Sequence, residues 1–259
     1  MTGRARVGTR DAFIKSAPSA QLDAEAEGLA ALRATRTVRV PAQLARRDDA
    51  LVLEWLDLRP LDARSGARLG AALADLHRSA VPAELAGRHG WLRDNFIGAT
   101  PQLNPPSTSW CAFWRERRLL PQLARARAGG HDGRLQEQGA RLVEVLDALL
   151  GGHTPASSLL HGDLWGGNAG ALADGTPVIF DPAVYVGDRE TDLAMSELFG
   201  GFPPAFHAAY RHAWPVDAGY AMRRELYNLY HLLNHLNLFG GGYFARCERT
   251  IARLLAEVR

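Results

Sequence analysis

The segment LLHGDLWGGN at residues 159–168 sets a carboxylate, Asp163, five positions before an amide, Asn168. PVIFDP at residues 177–182 ends a short apolar run on a second carboxylate, Asp181. These are the groups that transfer of a phosphoryl group to a hydroxyl requires. One carboxylate accepts or orients the proton of the attacking hydroxyl. An amide oxygen and a second carboxylate are hard donors suited to Mg²⁺, which holds the phosphates of ATP. Gly162, Gly166 and Gly167 let the backbone turn tightly and approach a ligand. The bland alternative is a glycine-rich hairpin with an Asx turn at Asp163 and no chemistry.

The elements that must bring these groups together are legible nearby. Residues 158–160 read as a short strand entering the loop, and residues 178–180 as a buried strand delivering Asp181. Asp163 and Asn168 have the spacing of the Asp and Asn in the protein-kinase catalytic loop, and the metal-binding Asp of kinases also follows a strand. Composition adds a further group: of 30 Lys+Arg residues only Lys15 is a lysine. Where arginine stands almost everywhere else, a lone lysine marks a position that a broad guanidinium fork does not suit. A kinase needs such a compact cation on its third strand to touch the α- and β-phosphates, paired with a helix glutamate. Residues 12–15 read as a strand end, and residues 20–33 as a helix carrying Glu25 and Glu27. A surface lysine beside a solvated acidic helix face is the other reading. Glu54, Trp55 and Leu56 follow a strand in the order of a kinase hinge, which makes Glu54 and Leu56 candidate ATP-binding residues. A plain strand end fits those residues equally well.

His161, Gly162, Asp163 and Asn168 resemble the loop of the aminoglycoside phosphotransferase and choline kinase group. Longer stretches are narrower: HGDLWGGN (161–168), IFDPAVYVGDRETDLAMSELFGGF (179–202), LYNLYHLLNHLNLFGGGY (226–243), DNFIGATPQLN (94–104) and FWRERRLLPQL (113–123). Together they look like the fructosamine-3-kinase or ketosamine-3-kinase family, from about residue 13 to the C-terminus. The resemblance implies ATP-dependent phosphorylation of the sugar 3-hydroxyl of a ketosamine, the product of a reducing sugar and an amine. The phosphorylated adduct then falls apart and restores the amine. In that reading Asp163 receives or orients the hydroxyl, Asn168 and Asp181 hold Mg²⁺, and Lys15, positioned by Glu25, touches the phosphates of ATP. His161 orients the loop through hydrogen bonds, as its family counterpart does. Asp192 braces the loop or caps the helix that it opens. Trp165 stacks on a sugar face or wedges the loop against the core. Tyr185 is a weaker substrate contact, with burial as its other reading. Two rival functions stand beside this one: a phosphotransferase for another small alcohol, such as an aminoglycoside or choline, and a nucleotide-binding pseudokinase.

The fold expected is α+β, a protein-kinase-like two-lobe arrangement. Residues 1–58 would form a small N-terminal antiparallel-sheet lobe, and residues 59–259 a larger, mainly helical catalytic and substrate lobe. Strands are expected at residues 38–41 and 50–54. Helices are expected from residue 65 to before Pro82, at 110–127, 134–150, 192–199 and 225–239, and around Cys247, Ile251, Leu254 and Leu255. One feature departs from the kinase pattern. Only fourteen residues precede Lys15, enough for one strand but not for two strands with a glycine-rich loop between. The small lobe therefore reads as truncated, with that loop missing. The family also tends to have Ser where this chain has Gly166. At 259 residues, net charge +2 and 47% hydrophobic content, the chain suits a soluble protein with a sizeable core. Interspersed basic and acidic residues argue against a nucleic-acid footprint. No apolar run reaches transmembrane length and no signal-type segment opens the chain, so no membrane partner and a cytoplasmic location are expected. Cys111 and Cys247 lack metal-type spacing and read as buried thiols.

Overall fold

The computed structural model describes residues 3–258. In chain order the elements are β1 (Gly3–Val7), β2 (Arg10–Lys15), α1 (Ser19–Ala34), β3 (Gln43–Arg47), β4 (Ala50–Glu54), α2 (Ala63–Arg78), β5 (Asn95–Ile97), β6 (Thr100–Gln102), α3 (Trp110–Trp114), α4 (Leu120–Ala128), α5 (Arg134–Glu144) and α6 (Leu146–Leu150). There follow β7 (Ser158–Leu160), β8 (Ala169–Ala171), β9 (Pro177–Ile179), β10 (Tyr185–Gly187), α7 (Glu190–Leu198), α8 (Pro204–Ala213), α9 (Tyr220–Phe239) and α10 (Phe244–Ala256). They fall into two compact units. The first comprises residues 1–80, 158–184 and 199–215; the second comprises residues 81–157, 185–198 and 216–259. The boundary expected after residue 58 falls inside the first unit, because α2 packs there against α8 and β9.

In the first unit an antiparallel sheet runs in the order β1-β2-β4-β3. Leu51, Val52 and Leu53 of the central β4 are all buried, so both of its faces are covered. Among the described residues one strand, β1, precedes the lysine strand, joined to it at Gly8 and Thr9; Thr2 lies outside those residues. The strand expected at 38–41 is not formed. Arg39 makes a single parallel bridge to Val178, and the edge strand is β3, beyond Pro41. Proline has no N–H to give to a ladder, so pairing starts after it. Asp62 caps α2: its side chain accepts from the Ser65 N–H at 2.7 Å, and Ser65 Oγ accepts from the Asp62 N–H at 2.9 Å. Leu69, Leu73, Leu76 and His77 then fall on one buried face. Burial of each leucine there stabilises by about 1.5–3 kcal/mol. Helix α8, for which the sequence reading made no provision, starts at a proline pair that suits a first helical turn.

In the second unit the helix expected at 110–127 is interrupted by a π-type turn at Arg115–Leu119. Pro121 lacks the N–H that would bond the carbonyl of Arg117, and the ladder widens around it. The helix expected at 134–150 divides at Val145 into α5 and α6. Helix α9 starts at Tyr220, five residues before its expected start, and ends at Gly240, whose N–H bonds Leu236 O at 2.9 Å. Cys247 is buried, whereas Cys111 is only half-buried; burial pushes both thiols up to about 12. Among the described residues no helix is long and apolar enough to cross a membrane.

Candidate functional site

Residues two apart on a strand share a face, so Phe13 and Lys15 of β2 point the same way, and Phe13 stands opposite Leu53 of β4 in register. That face lines a cavity of about 330 Å³. Phe13, Leu53, Leu56 and Leu58 make part of it apolar, while Lys15, Glu25 and Asp181 supply charge. Lys15 Nζ lies 2.6 Å from Glu25 Oε2 and 2.5 Å from Asp181 Oδ1. Helix α1 presents Glu25 at this point. Gly28, one turn on, sits so close to the chain after Asp181 that an added Cβ would lie 3.1 Å from Pro182 and 3.3 Å from Val184. Burial works against the charge of Lys15, but the carboxylates of Asp181 and Glu25 outweigh it and hold its pKa above the ordinary 10.5. Glu25 is raised above its ordinary value by burial and by the charge of Asp181, against the pull of Lys15. The two carboxylates explain the rise at Lys15, and burial, with the charge of Asp181 beside it, explains the rise at Glu25.

Strand β7 leads into the loop of Asp163. Gly162 turns it at φ 82°, and an added Cβ would lie 2.0 Å from Ala183 O, so the close approach excludes any side chain. His161 is fully buried between the two loops. Its Nδ1 accepts from the Asp163 N–H at 3.3 Å, and its Nε2 donates to Phe180 O at 3.0 Å, a pattern that assigns the neutral Nε2–H tautomer. His161 thus fixes the backbone of Asp163 against the residue preceding Asp181. Asn168 Nδ2 donates to Asp163 O at 2.9 Å, to Asp163 Oδ2 at 3.2 Å and to Asp181 O at 3.4 Å. Asp181 itself is left-handed, at φ 57°, a conformation that Asp tolerates better than most residues. With its NH₂ committed to the two aspartates, Asn168 would meet a cation through Oδ1. That amide oxygen and the half-exposed Asp181 carboxylate are hard donors, and they fit Mg²⁺.

Trp165 is 39% exposed and stands edge-on to Phe199 at 6.3 Å. Gly166 touches the 200–201 backbone: an added Cβ would lie 2.8 Å from both Gly200 O and Gly201 Cα. A serine there would require this loop to move. The sequence reading did not single out Phe199 or Gly201 as site residues; the adjacent Gly200–Gly201 pair was the available signal. It also missed Arg39, whose Nη2 donates to both carboxylate oxygens of Glu54 at 2.6 and 2.7 Å. Glu54 accepts the Ala42 N–H as well, at 3.1 Å, so its side chain is committed to the protein and what it can offer a nucleotide is backbone. Leu56 lies past the end of β4 and lines the cavity.

Two expected site residues, Tyr185 and Asp192, belong to the second unit. Tyr185 is a core side chain rather than a substrate contact. It is 2% exposed, stacks on Phe113 at 5.8 Å under the Arg118 guanidinium, and donates its hydroxyl to Thr191 Oγ1 at 3.2 Å. Asp192 is buried in the first turn of α7, and it is Asp188 that receives the Glu190 N–H there, at 3.0 Å. His153, Asp188 and Glu190 form a group with metal-ligand side chains, but protein partners occupy it. Asp188 Oδ2 lies 2.7 Å from His153 Nε2 and accepts from Tyr227 Oη at 2.6 Å. Arg223 grips Glu190 with two bonds of 2.7 and 2.9 Å. Burial raises the Asp188 pKa, but the bonds from His153 and Tyr227 outweigh it and hold the carboxyl below its ordinary value.

The sequence profile of the fructosamine kinase family matches residues 4–257. The probable ketoamine kinase of Synechocystis is 46% identical over 257 residues, spanning 96% of this chain and 84% of that one. The chloroplastic protein-ribulosamine 3-kinase of Arabidopsis thaliana is 39% identical over 239 residues, spanning 89% and 72%. The solved structure of a candidate fructosamine-3-kinase from Thermobifida fusca superimposes with a TM-score of 0.88 at 32% identity, covering 98% of this chain and 88% of that one. An ADP-bound aminoglycoside phosphotransferase, at 13% identity and a TM-score of 0.62 over 98% of this chain and 94% of that one, shares the protein-kinase-like fold alone. On the match across nearly its whole length, the chain belongs to the fructosamine kinase family.

Proposed function

We propose that this protein transfers the γ-phosphoryl group of ATP to the sugar 3-hydroxyl of ketosamines, in the manner its ketoamine and ribulosamine kinase relatives are named for. The observation that carries the reading is the meeting of Asp163, Asn168 and Asp181 beside the Lys15–Glu25 pair within one compact unit. Adenine would enter the apolar part of the cavity, among Phe13, Leu53 and Leu58, and bond the backbone at Leu56. Lys15, held by Glu25, would lie on the α- and β-phosphates. Asp163, oriented by Asn168, would take the proton of the 3-hydroxyl as its oxygen bonds the γ-phosphorus and the bond to ADP breaks. Mg²⁺, when bound at Asn168 and Asp181, supplies neutralising charge on the phosphates. The protein's part is positioning and electrostatic stabilisation, since a loose phosphoryl transition state offers little covalent chemistry. Trp165, half-exposed beside the proposed base, would cover one face of the sugar. Elimination of inorganic phosphate from C3 of the product would leave an imine at C1, and addition of water to that imine would release the amine and a 3-deoxyosone, completing a deglycation.

The test is Mg-ATP consumption with ribulosyl-lysine and with fructosyl-lysine, followed by mass spectrometry of the acceptor. Phosphate gained by an acceptor, and lost with Asp163→Asn, is the expected result. ATP bound without transfer to either adduct would overturn the proposal and favour a binding protein. Transfer only to aminoglycosides or choline would replace the acceptor class.

A further inference from the structure

Arg39 holds two parts of the first unit's cavity wall at once. Its side chain reaches the end of β4, where Nη2 donates to Glu54 Oε1 at 2.6 Å and to Glu54 Oε2 at 2.7 Å. Glu54 is tied to the segment after Arg39 a second time. Its N–H donates to Ala42 O at 2.8 Å, and its Oε2 accepts from the Ala42 N–H at 3.1 Å. Glu54 therefore leaves β4 in one orientation, and Trp55 and Leu56, which line the cavity, follow from there. The backbone of Arg39 works on the other side. Its carbonyl accepts from the Ile179 N–H at 3.1 Å, beside the parallel bridge between Arg39 and Val178. Phe180 and Asp181, the next two residues, line the same cavity. The Phe180 N–H in turn donates to Asn168 O at 3.0 Å. One residue thus spaces the segment of Leu56 against the strand that leads to Asp181.

We propose that Arg39 is a positioning residue for the nucleotide base. Its guanidinium fixes Glu54, so that the Leu56 backbone meets adenine at a distance from Asp181 that the Arg39 carbonyl sets. Arg39 acts through Glu54 and not by contact with the base. Both contacts to Glu54 come from one nitrogen, so a point charge in the same place would serve as well as the guanidinium fork. This inference rests on the Leu56 contact proposed above and deepens it.

The test is calorimetry of ADP and of inosine diphosphate, each with Mg²⁺, binding to the full chain. N1 is an acceptor in adenine and carries a hydrogen in hypoxanthine, so a backbone N–H at Leu56 tells the two bases apart. The original protein is expected to prefer ADP. Arg39→Met should weaken ADP by about tenfold, the scale of a displaced hydrogen bond, and inosine diphosphate by less, which narrows the preference. The unfolding midpoint should stay nearly in place, since a partly exposed ion pair contributes little to it. Arg39→Lys should recover most of the ADP affinity. Glu54→Gln should match Arg39→Met, and the double variant should bind no more weakly than either single one. Equal losses for the two nucleotides, no loss, or additive losses in the double variant would overturn the role of Arg39. An original protein that binds neither nucleotide, or both alike, would instead remove the Leu56 contact itself, and this proposal with it.

Discussion

Two clusters in this molecule are made of the same materials and do opposite things. In the first unit Lys15 sits between Glu25 and Asp181 on the wall of a cavity, and the Asp181 side chain is about half exposed. In the second unit Arg223 and His153 face Glu190 and Asp188, with Tyr227 closing the group, and both acids are almost wholly buried. The first cluster holds one cation against two carboxylates, an imbalance that a bound metal and phosphates can resolve by taking Asp181 and Lys15 as partners. The second is matched bond for bond and has nothing to exchange. Density of charge therefore does not mark the functional site; the capacity of its groups to change partners does.

That contrast can be broken or sharpened by substitution. Asp163→Asn keeps the shape and the Asn168 contact but removes the proposed proton acceptor. Turnover is expected to fall by about a thousandfold, with ATP affinity and thermal midpoint unchanged; turnover within tenfold of the original protein would remove Asp163 from its role. Arg223→Met should act in the reverse sense. It leaves the Glu190 carboxylate buried and uncompensated, and should lower the unfolding free energy in urea by about 3–5 kcal/mol. A loss under 1 kcal/mol would mean that the second cluster is not the structural one. Lys15→Arg keeps the charge but puts a planar fork where a point charge bridges Glu25 and Asp181. Steady-state kinetics should show kcat/KM for ATP reduced on the order of a hundredfold, the scale of an ångström's misplacement; near-normal values would defeat the argument from the lone lysine.

The smallest effects are in pH dependence, where the clusters should fail at opposite ends. The Asp188 pKa is depressed in the folded protein, so its contribution is present above the unfolded value near 4 and is lost as the pH falls further. The Lys15 pKa is raised, so its contribution is present below 10.5 and is lost as the pH rises through the folded value. Urea midpoints measured against pH should fall less steeply in acid for Asp188→Asn, and less steeply in strong base for Lys15→Met. Loss of the Lys15 contribution at neutral pH would contradict its pairing with two carboxylates.

What was legible in the sequence follows from how local each feature is. Asp163 and Asn168 lie five residues apart in one loop, and Asp181 follows the end of β9 by two residues, so spacing placed them near one another. Lys15 was legible through composition. The second cluster was not, because Asp188 reaches His153 across 35 residues and Tyr227 across 39, and no periodicity joins them. Tyr185 was left between contact and burial for a related reason: every residue of β10 is buried, so its alternation carries no sign of which face meets solvent. The edge strand was misread because the apolar Val38 and Val40 look more like a strand than the polar Gln43–Arg47 that forms one. The commitment of Glu54 to Arg39 joins residues fifteen apart on different segments, a contact that neither one's neighbours announce.

Lys15 has one more consequence, which concerns the chemistry that makes ketosamines. Reducing sugars condense with neutral side-chain amines, and this chain offers a single one. That amine is three-quarters shielded and is kept protonated by two acids, while its twenty-nine basic companions are guanidinium groups. A protein so composed presents almost no side-chain target for sugar adducts. The same economy makes Lys15 a single reporter: lysine labelled with nitrogen-15 would give one ammonium signal, arising on the wall of the cavity that Lys15 lines.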